Sequence, residues 1–341
     1  MATDVGGPEA EGAPAAPADD DVPMDTRGRS DTGGAGSATR PRRVSVSWLG
    51  LAPFFVYVVL VFLVPIGFIL YNAFRRTIPG AAVRNPVTQQ FIRTSHTTVT
   101  ASNIATTVKG IYRTSLINSV ELSLVVALLG AVVGILLAYA VVTSRNSALR
   151  QIVIAAAAVT ANFGGVPLAF LFIATVGNAG ILTVFLRDHF NLSLQADLHF
   201  RLTTISGISL VYLYFLIPLM VLVMTPALEG LKPEWSEAAE NLGASRWHYW
   251  RYVAGPVLAP NFLGSTLLLF CSSFSAYATA YALVGQSFPL VTTQISAVLS
   301  GNVLAGQENL GAALAVDMIV IVLPMTIVYQ VLQRRTSRWL A

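Results

Sequence analysis

The chain has 341 residues, 54% of them hydrophobic and 11% charged, where an ordinary soluble domain carries about 25% charged residues. Too few polar groups are present to cover a water-facing surface, which excludes a soluble globular class and leaves lipid as the solvent for much of the chain. The net charge of +4 does not point to nucleic acid, because most Lys and Arg fall in tails and short loops between apolar runs, where membrane topology accounts for them.

Residues 1–43 are rich in Gly, Ala, Pro and Asp and nearly devoid of large apolar side chains. Such a segment buries too little surface to offset chain entropy, so a disordered cytoplasmic tail is expected. No apolar stretch precedes Trp48, so it is not read as a secretory signal. The remainder, 44–341, reads as one membrane domain.

Crossing the hydrocarbon core takes about 20 apolar residues. The first candidate runs from Trp48 to Tyr71 without a charge, and the second over about Leu116–Val142, with Glu121 near its start and Gly130 and Gly134 as a small-residue pair. The third starts near Gln151 and contains Asn162-Phe163-Gly164-Gly165-Val166-Pro167; the fourth covers about Leu202–Met224. No charge appears between Arg251 and Glu308, too long for one crossing, so the fifth span is expected to end around Gly285–Pro289. A short, partly buried segment at Leu290–Leu299 follows, and the sixth span is about Leu310–Leu332. Six spans make an all-α polytopic protein with both termini on one side. About 13 basic residues lie on that side and about 8 on the other, which places the termini in the cytoplasm. The first outer loop, roughly 72–115, dissents with Arg75, Arg76, Arg84, Arg93, Lys109 and Arg113.

The informative loop lies between the fourth and fifth spans, about 225–256. Pro233 suits the first turn of a helix, where its missing N–H costs nothing. Glu234 and Glu237 favour that helix's positive end, and Gly243 suits the left-handed residue that closes it. A second helix is expected from Ser245 as N-cap, carrying Trp247, Tyr249, Trp250 and Tyr252 toward the membrane interface.

Glu237-Ala238-Ala239, three residues, Gly243, nine residues, Val253, two residues and Pro256 resemble the EAA loop of ABC importer permeases. In the family pattern the last part reads I-x-L-P. Here Val253 replaces Ile, and Gly255 stands where Leu is usual, which bears on packing at the start of the fifth span. More weakly, the region 48–341 looks like the polyamine, phosphonate and iron-type branch, with the sugar-type branch as the nearer competitor. The resemblance implies a MetI-like transmembrane fold in the bacterial plasma (inner) membrane. It also implies a helix that docks into a cytoplasmic ATPase, with Glu237, Ala238, Ala239 and Gly243 in the coupling role. The implied partners are two ABC ATPase subunits, a second permease (identical or homologous) and an extracytoplasmic solute-binding protein. The resemblance implies no enzymatic activity and no cofactor of the chain's own, ATP being bound by the partners.

Other chemistry is sparse. Neither Lys109 nor Lys232 has the Gly-rich context of a P-loop. His96, His189, His199 and His248 are scattered over loops without metal-ligand spacing, and Cys271 reads as a packed thiol. Asp317, an ionisable residue inside a span, either faces a polar translocation path or pairs with a neighbouring helix. At helical spacing Ser273, Tyr277 and Tyr281 share one face, which either lines a cavity or serves helix packing. Asn162 and the Gly-Gly that follows can break the third span and expose backbone to a path. The scarcity of acidic groups in the spans gives no support to a cationic solute. A secondary transporter acting without an ATPase is the alternative class; paired intramembrane charges and inverted repeats, its expected marks, are not evident.

Overall fold

A computed structural model describes residues 47–84, 91–197, 199–301, 307 and 309–337; the tail expected over 1–43 lies outside them. Residues 47–53 belong to a unit apart from Phe54–Ala341 and are described only as the first turns of a helix. Among the described residues, six helical stretches are long and apolar enough to cross a membrane.

In chain order, α1 (Ser47–Val58), a π-helical segment (Val59–Leu63) and α2 (Val64–Ala73) come first. An antiparallel hairpin follows, β1 (Arg75–Arg84) with β2 (Phe91–Val99), its register running from Arg75 opposite Val99 to Arg84 opposite Phe91 with an irregularity between Pro79 and Ala82. The all-α expectation therefore holds for the bundle, to which this hairpin is an addition. A short α3 (Ser102–Thr107) leads into α4 (Gly110–Thr143). At 34 residues, α4 rises about 51 Å, well beyond the roughly 30 Å of hydrocarbon.

Next come α5 (Ser147–Asn162), α6 (Val166–Val176), α7 (Ile181–Phe190) and α8 (Ile205–Glu229). The loop between α7 and α8 is folded on Asp197, whose carboxylate accepts from Ser193 N (2.7 Å) and Oγ (3.0 Å), bonds that hold this carboxyl below the usual range. Length and hydropathy alone assign the third crossing to Val166–Phe190, later than the sequence suggests. Contacts favour the earlier start. Arg150, in the first turn of α5, pairs with Glu229 at the end of α8, and Thr160 shares an apolar groove with Ile217 and Pro218 farther along. The two helices run antiparallel.

After α8 come α9 (Pro233–Asn241), α10 (Arg246–Tyr249), a second π-helical segment (Trp250–Ala254) and α11 (Gly255–Phe274). The chain ends through α12 (Ala278–Val284), α13 (Val291–Leu299) and α14 (Leu310–Ser337). The fifth helix thus stops at Phe274, earlier than the expected Gly285–Pro289.

The core lies where α4, α8 and α11 meet, around Val126, Ala131, Tyr212, Leu216, Met220 and Leu269. Lipid removes much of the hydrophobic drive between helices, so close packing of small residues must hold them. Helix α4 supplies such a stripe in Ser115, Ser119, Ser123, Ala127, Gly130, Gly134 and Ala138, all buried. Gly130 faces Leu269, and Gly134 lies directly on Met220.

Candidate functional site

Helix α9 has Pro233 at its first position and Glu234 in its first turn. Its end is a Schellman closure: Ala244 N donates to Ala239 O (2.9 Å) and Gly243 N to Glu240 O (2.9 Å), with Gly243 at φ +77°. The glycine stands in a conformation that an L side chain adopts at a cost, as the sequence predicts. Ser245 caps α10, its Oγ accepting from His248 N (3.4 Å) and meeting His248 Nδ1 (2.8 Å).

The segment is pinned on one side only. Ser236, Glu240 and Ala244 face a cavity of about 410 Å³ shared with Tyr139, Thr143 and Leu231, and Trp250 packs edge-on against Tyr139 at 5.3 Å. On the other side Glu237 and Ala238 are exposed. There Ala238 and Ala239 form, with Trp235, Leu242, His248 and Tyr252, an apolar groove of about 560 Å³. Leu242 is 88% exposed, a large apolar side chain left uncovered. Glu237 forms no ion pair among the described residues.

A second region gathers two breaks in the spans. Between α5 and α6 the chain unwinds at Phe163–Gly165; between α11 and α12 it unwinds at Ser275–Tyr277. The breaks adjoin: Gly165 N, in the first, donates to Thr279 Oγ (2.8 Å), in the first turn of α12 directly after the second. Tyr212 OH donates to Ala276 O (3.0 Å) and satisfies a carbonyl that the second break frees. Val291 N donates to Ser119 Oγ (2.9 Å) and Asn118 Nδ2 to Pro289 O (3.1 Å), tying the start of α13 to α4.

The break redistributes the expected polar face. Tyr277 and Tyr281 remain together, partly exposed with rings 5.4 Å apart, and Tyr277 OH is 2.8 Å from Ser296 Oγ. Ser273 is separated from them; it is buried, and its hydroxyl has no hydrogen-bond partner among the described residues. The reason is that Ser273 belongs to α11 while both tyrosines follow its end. Asn162, exposed at the end of α5, turns its amide back to Ala158 O (2.9 Å) beside the first break. Asp317 is elsewhere: its carboxyl meets the Thr107 hydroxyl of α3, and its Oδ2 is buried without a hydrogen-bond partner among the described residues. Of the two hydroxyls that hold the breaks, the sequence marks Thr279 only as part of the polar density of the fifth span and gives no sign of Tyr212. Replacing Thr279 with Val is expected to leave the Gly165 N–H unsatisfied and to cost about 1–3 kcal/mol, read as a lower unfolding midpoint in detergent.

Residues 130–338, more than half the chain, match the family described as "Binding-protein-dependent transport system inner membrane component". The chain belongs to this family. The matched stretch holds α9 and both helix breaks. Among curated relatives, the ferric transport system permease protein FbpB of Actinobacillus pleuropneumoniae is 28% identical over 148 residues, 43% of this chain and 21% of that protein. The sulfate transport system permease protein CysT of Escherichia coli is 35% identical over 80 residues, 24% of this chain and 29% of that one. The matches thus span less than a third of these relatives' own length. A solved bacterial ABC transporter involved in import of the acidic polysaccharide alginate has the same fold, with TM-score 0.61 and 16% identity over 86% of this chain and 95% of that chain.

The π-helical segment of this chain explains the departure at Gly255. Its N–H closes the π-helical segment on Trp250 O, and a Cβ at Gly255 would lie 2.5 Å from that same oxygen. Restoring the usual residue with Gly255→Leu is therefore expected to destabilise this chain by roughly 1–3 kcal/mol, as overpacking does. Thermal unfolding in detergent measures it; an unchanged midpoint would show that the π turn tolerates the side chain.

Proposed function

We propose that this chain is the permease subunit of an ATP-binding cassette importer. It passes a small solute from an extracytoplasmic binding protein through a path shared with a second permease, identical or homologous. Two cytoplasmic ATPases drive the cycle, one docked on α9 of each permease. The chain carries no catalytic step of its own, and ATP belongs to the partners. Both termini face the cytoplasm, the side on which α9 must lie for docking.

The observation that carries this reading is α9 itself. It is short and rigidly closed, presents Glu237 and Ala238 to solvent and flanks an uncovered apolar groove. Small residues there let a partner's cleft approach the helix backbone, and the exposed carboxylate offers a charged contact. Tyr277, Tyr281 and Asn162, at the adjoining helix breaks, are the path residues this chain contributes. Ser273 lies behind them, and Asp317 serves the packing of α14 on α3. Membership of the family favours the ATP-driven reading over a secondary transporter. Ferric and sulfate permeases among the relatives support a small solute.

The test is Ala238→Arg. The side chain is exposed, so the fold should be unaffected. Co-purification of the ATPase encoded with this chain, and solute uptake into vesicles, are expected to be lost. Wild-type assembly and uptake in that variant would refute the docking role.

A further inference from the structure

The β1–β2 hairpin lies wholly outside the family-matched stretch 130–338, so its role is not explained by membership. We propose that it docks an acidic face of the solute-delivering protein; this rests on the permease reading above and names the surface that partner uses.

Charge is the first argument. Between residues 72 and 120 stand Arg75, Arg76, Arg84, Arg93, Lys109 and Arg113, without one Asp or Glu. On the outer face such a loop runs against the topological preference for basic residues inside. Lys109 is the N-cap of α4 and Arg113 lies in its first turn, where the helix dipole disfavours cations. The topological bias opposes all six charges and the helix dipole opposes Lys109 and Arg113 besides; both are offset if an anionic surface comes to meet them. Arg76 and His96 are exposed, as are Thr97 and Thr98.

Anchoring is the second. The hairpin's base is fixed to the bundle by buried and part-buried hydrogen bonds: Asn103 Nδ2 donates to Ala73 O (3.2 Å) and Arg75 O (2.8 Å), and Asn309 Nδ2 donates to Arg75 O (2.9 Å). Thr100 N closes on Phe74 O (2.7 Å), and Arg75 lies over the Tyr71 ring at 5.1 Å. Asn103 is 4% exposed, so its amide serves the anchor alone. A load on the hairpin is passed to α3 and to the start of α14. Reach favours a protein over lipid headgroups. A ten-residue strand rises about 33 Å, against about 5–7 Å of headgroup region on each side of the bilayer.

The experiment reconstitutes the full chain with its ATPase in phosphatidylcholine nanodiscs, with and without phosphatidylglycerol. The probe is a purified extracytoplasmic solute-binding protein that stimulates the ATPase of the wild-type complex in these discs. Arg76→Glu/Arg84→Glu/Arg93→Glu is expected to weaken its binding on the order of tenfold or more, and added salt to weaken wild-type binding far more than the variant's. A milder Gln triple variant guards against misfolding, checked by its unfolding midpoint, and should fall between. If wild type binds the probe and its ATPase is stimulated, yet both variants bind equally well, the docking proposal alone fails. An effect confined to phosphatidylglycerol discs overturns it too, by making the hairpin a lipid clamp. If no such protein binds or stimulates the wild type, the permease reading falls as well.

Discussion

Replacing Gly134 with Ala is expected to lower the unfolding midpoint of the detergent-solubilised protein, with an overpacking cost of roughly 1–3 kcal/mol. A Cβ at this position would lie 2.4 Å from Met220 Cβ and 2.6 Å from its Cγ. Met220 is fully buried, and its Cβ is fixed by the backbone of α8, so no rotamer change relieves the clash. The helices themselves must part, along the most extensive helix–helix contact in the bundle. Leu in place of Gly134 should prevent the native packing altogether. A double-mutant cycle with Met220→Ala isolates the contact, and a coupling of about 0.5–3 kcal/mol is expected. Gly67, with nothing within 4 Å of its virtual Cβ, is the control: Gly67→Ala should be neutral or slightly stabilising, since Ala is the better helix former. Strict additivity in the cycle would mean that Gly134 is not the contact that brings α4 against α8.

The second large effect is expected at Gly243, and its cause is conformational. Nothing lies within 4 Å of a Cβ built there, yet φ is +77°. For an L residue that region costs roughly 1–2 kcal/mol, a factor of about 5–30 in the population of a closed turn. Gly243→Val should therefore fray the end of α9 without changing the global unfolding midpoint, and uptake and ATPase co-purification should fall together. Gly243→Asn, which tolerates the left-handed region, should retain most of both. Wild-type uptake in the Val variant would show that the closure of α9 does not matter to coupling.

Both glycines were visible in the chain before any fold was known, but for different reasons. Gly243 follows a short run with Pro at its head and acids in its first turn, a local pattern that determines its own geometry. Ser245 as N-cap was legible for the same reason. Gly130 and Gly134 were legible only as packing material, because the partner that makes Gly134 critical stands 86 residues away in Met220. The apolar spans followed from composition. The break at Ser275–Tyr277 was not legible: no Gly or Pro marks it, and the hydroxyl that satisfies its freed carbonyl comes from Tyr212, in another helix. The shared face drawn through Ser273, Tyr277 and Tyr281 assumed an unbroken helix, which is why Ser273 fell out of it. For the hairpin a signal was present, the Thr- and Ile-containing run Phe91–Val99 after Asn85-Pro86, a dipeptide type that favours turns in general. Alternation there is weak, and the positive charges drew attention to topology instead.

The hydrogen bond from Gly165 N to Thr279 Oγ joins the unwound link between α5 and α6 to the first turn of α12. Each time those pieces separate, one main-chain amide loses its partner, and solvent deuterium has access to it. Gly165 is thus a clock built into the protein. The rate at which its amide exchanges counts how often this contact between the two helix breaks opens.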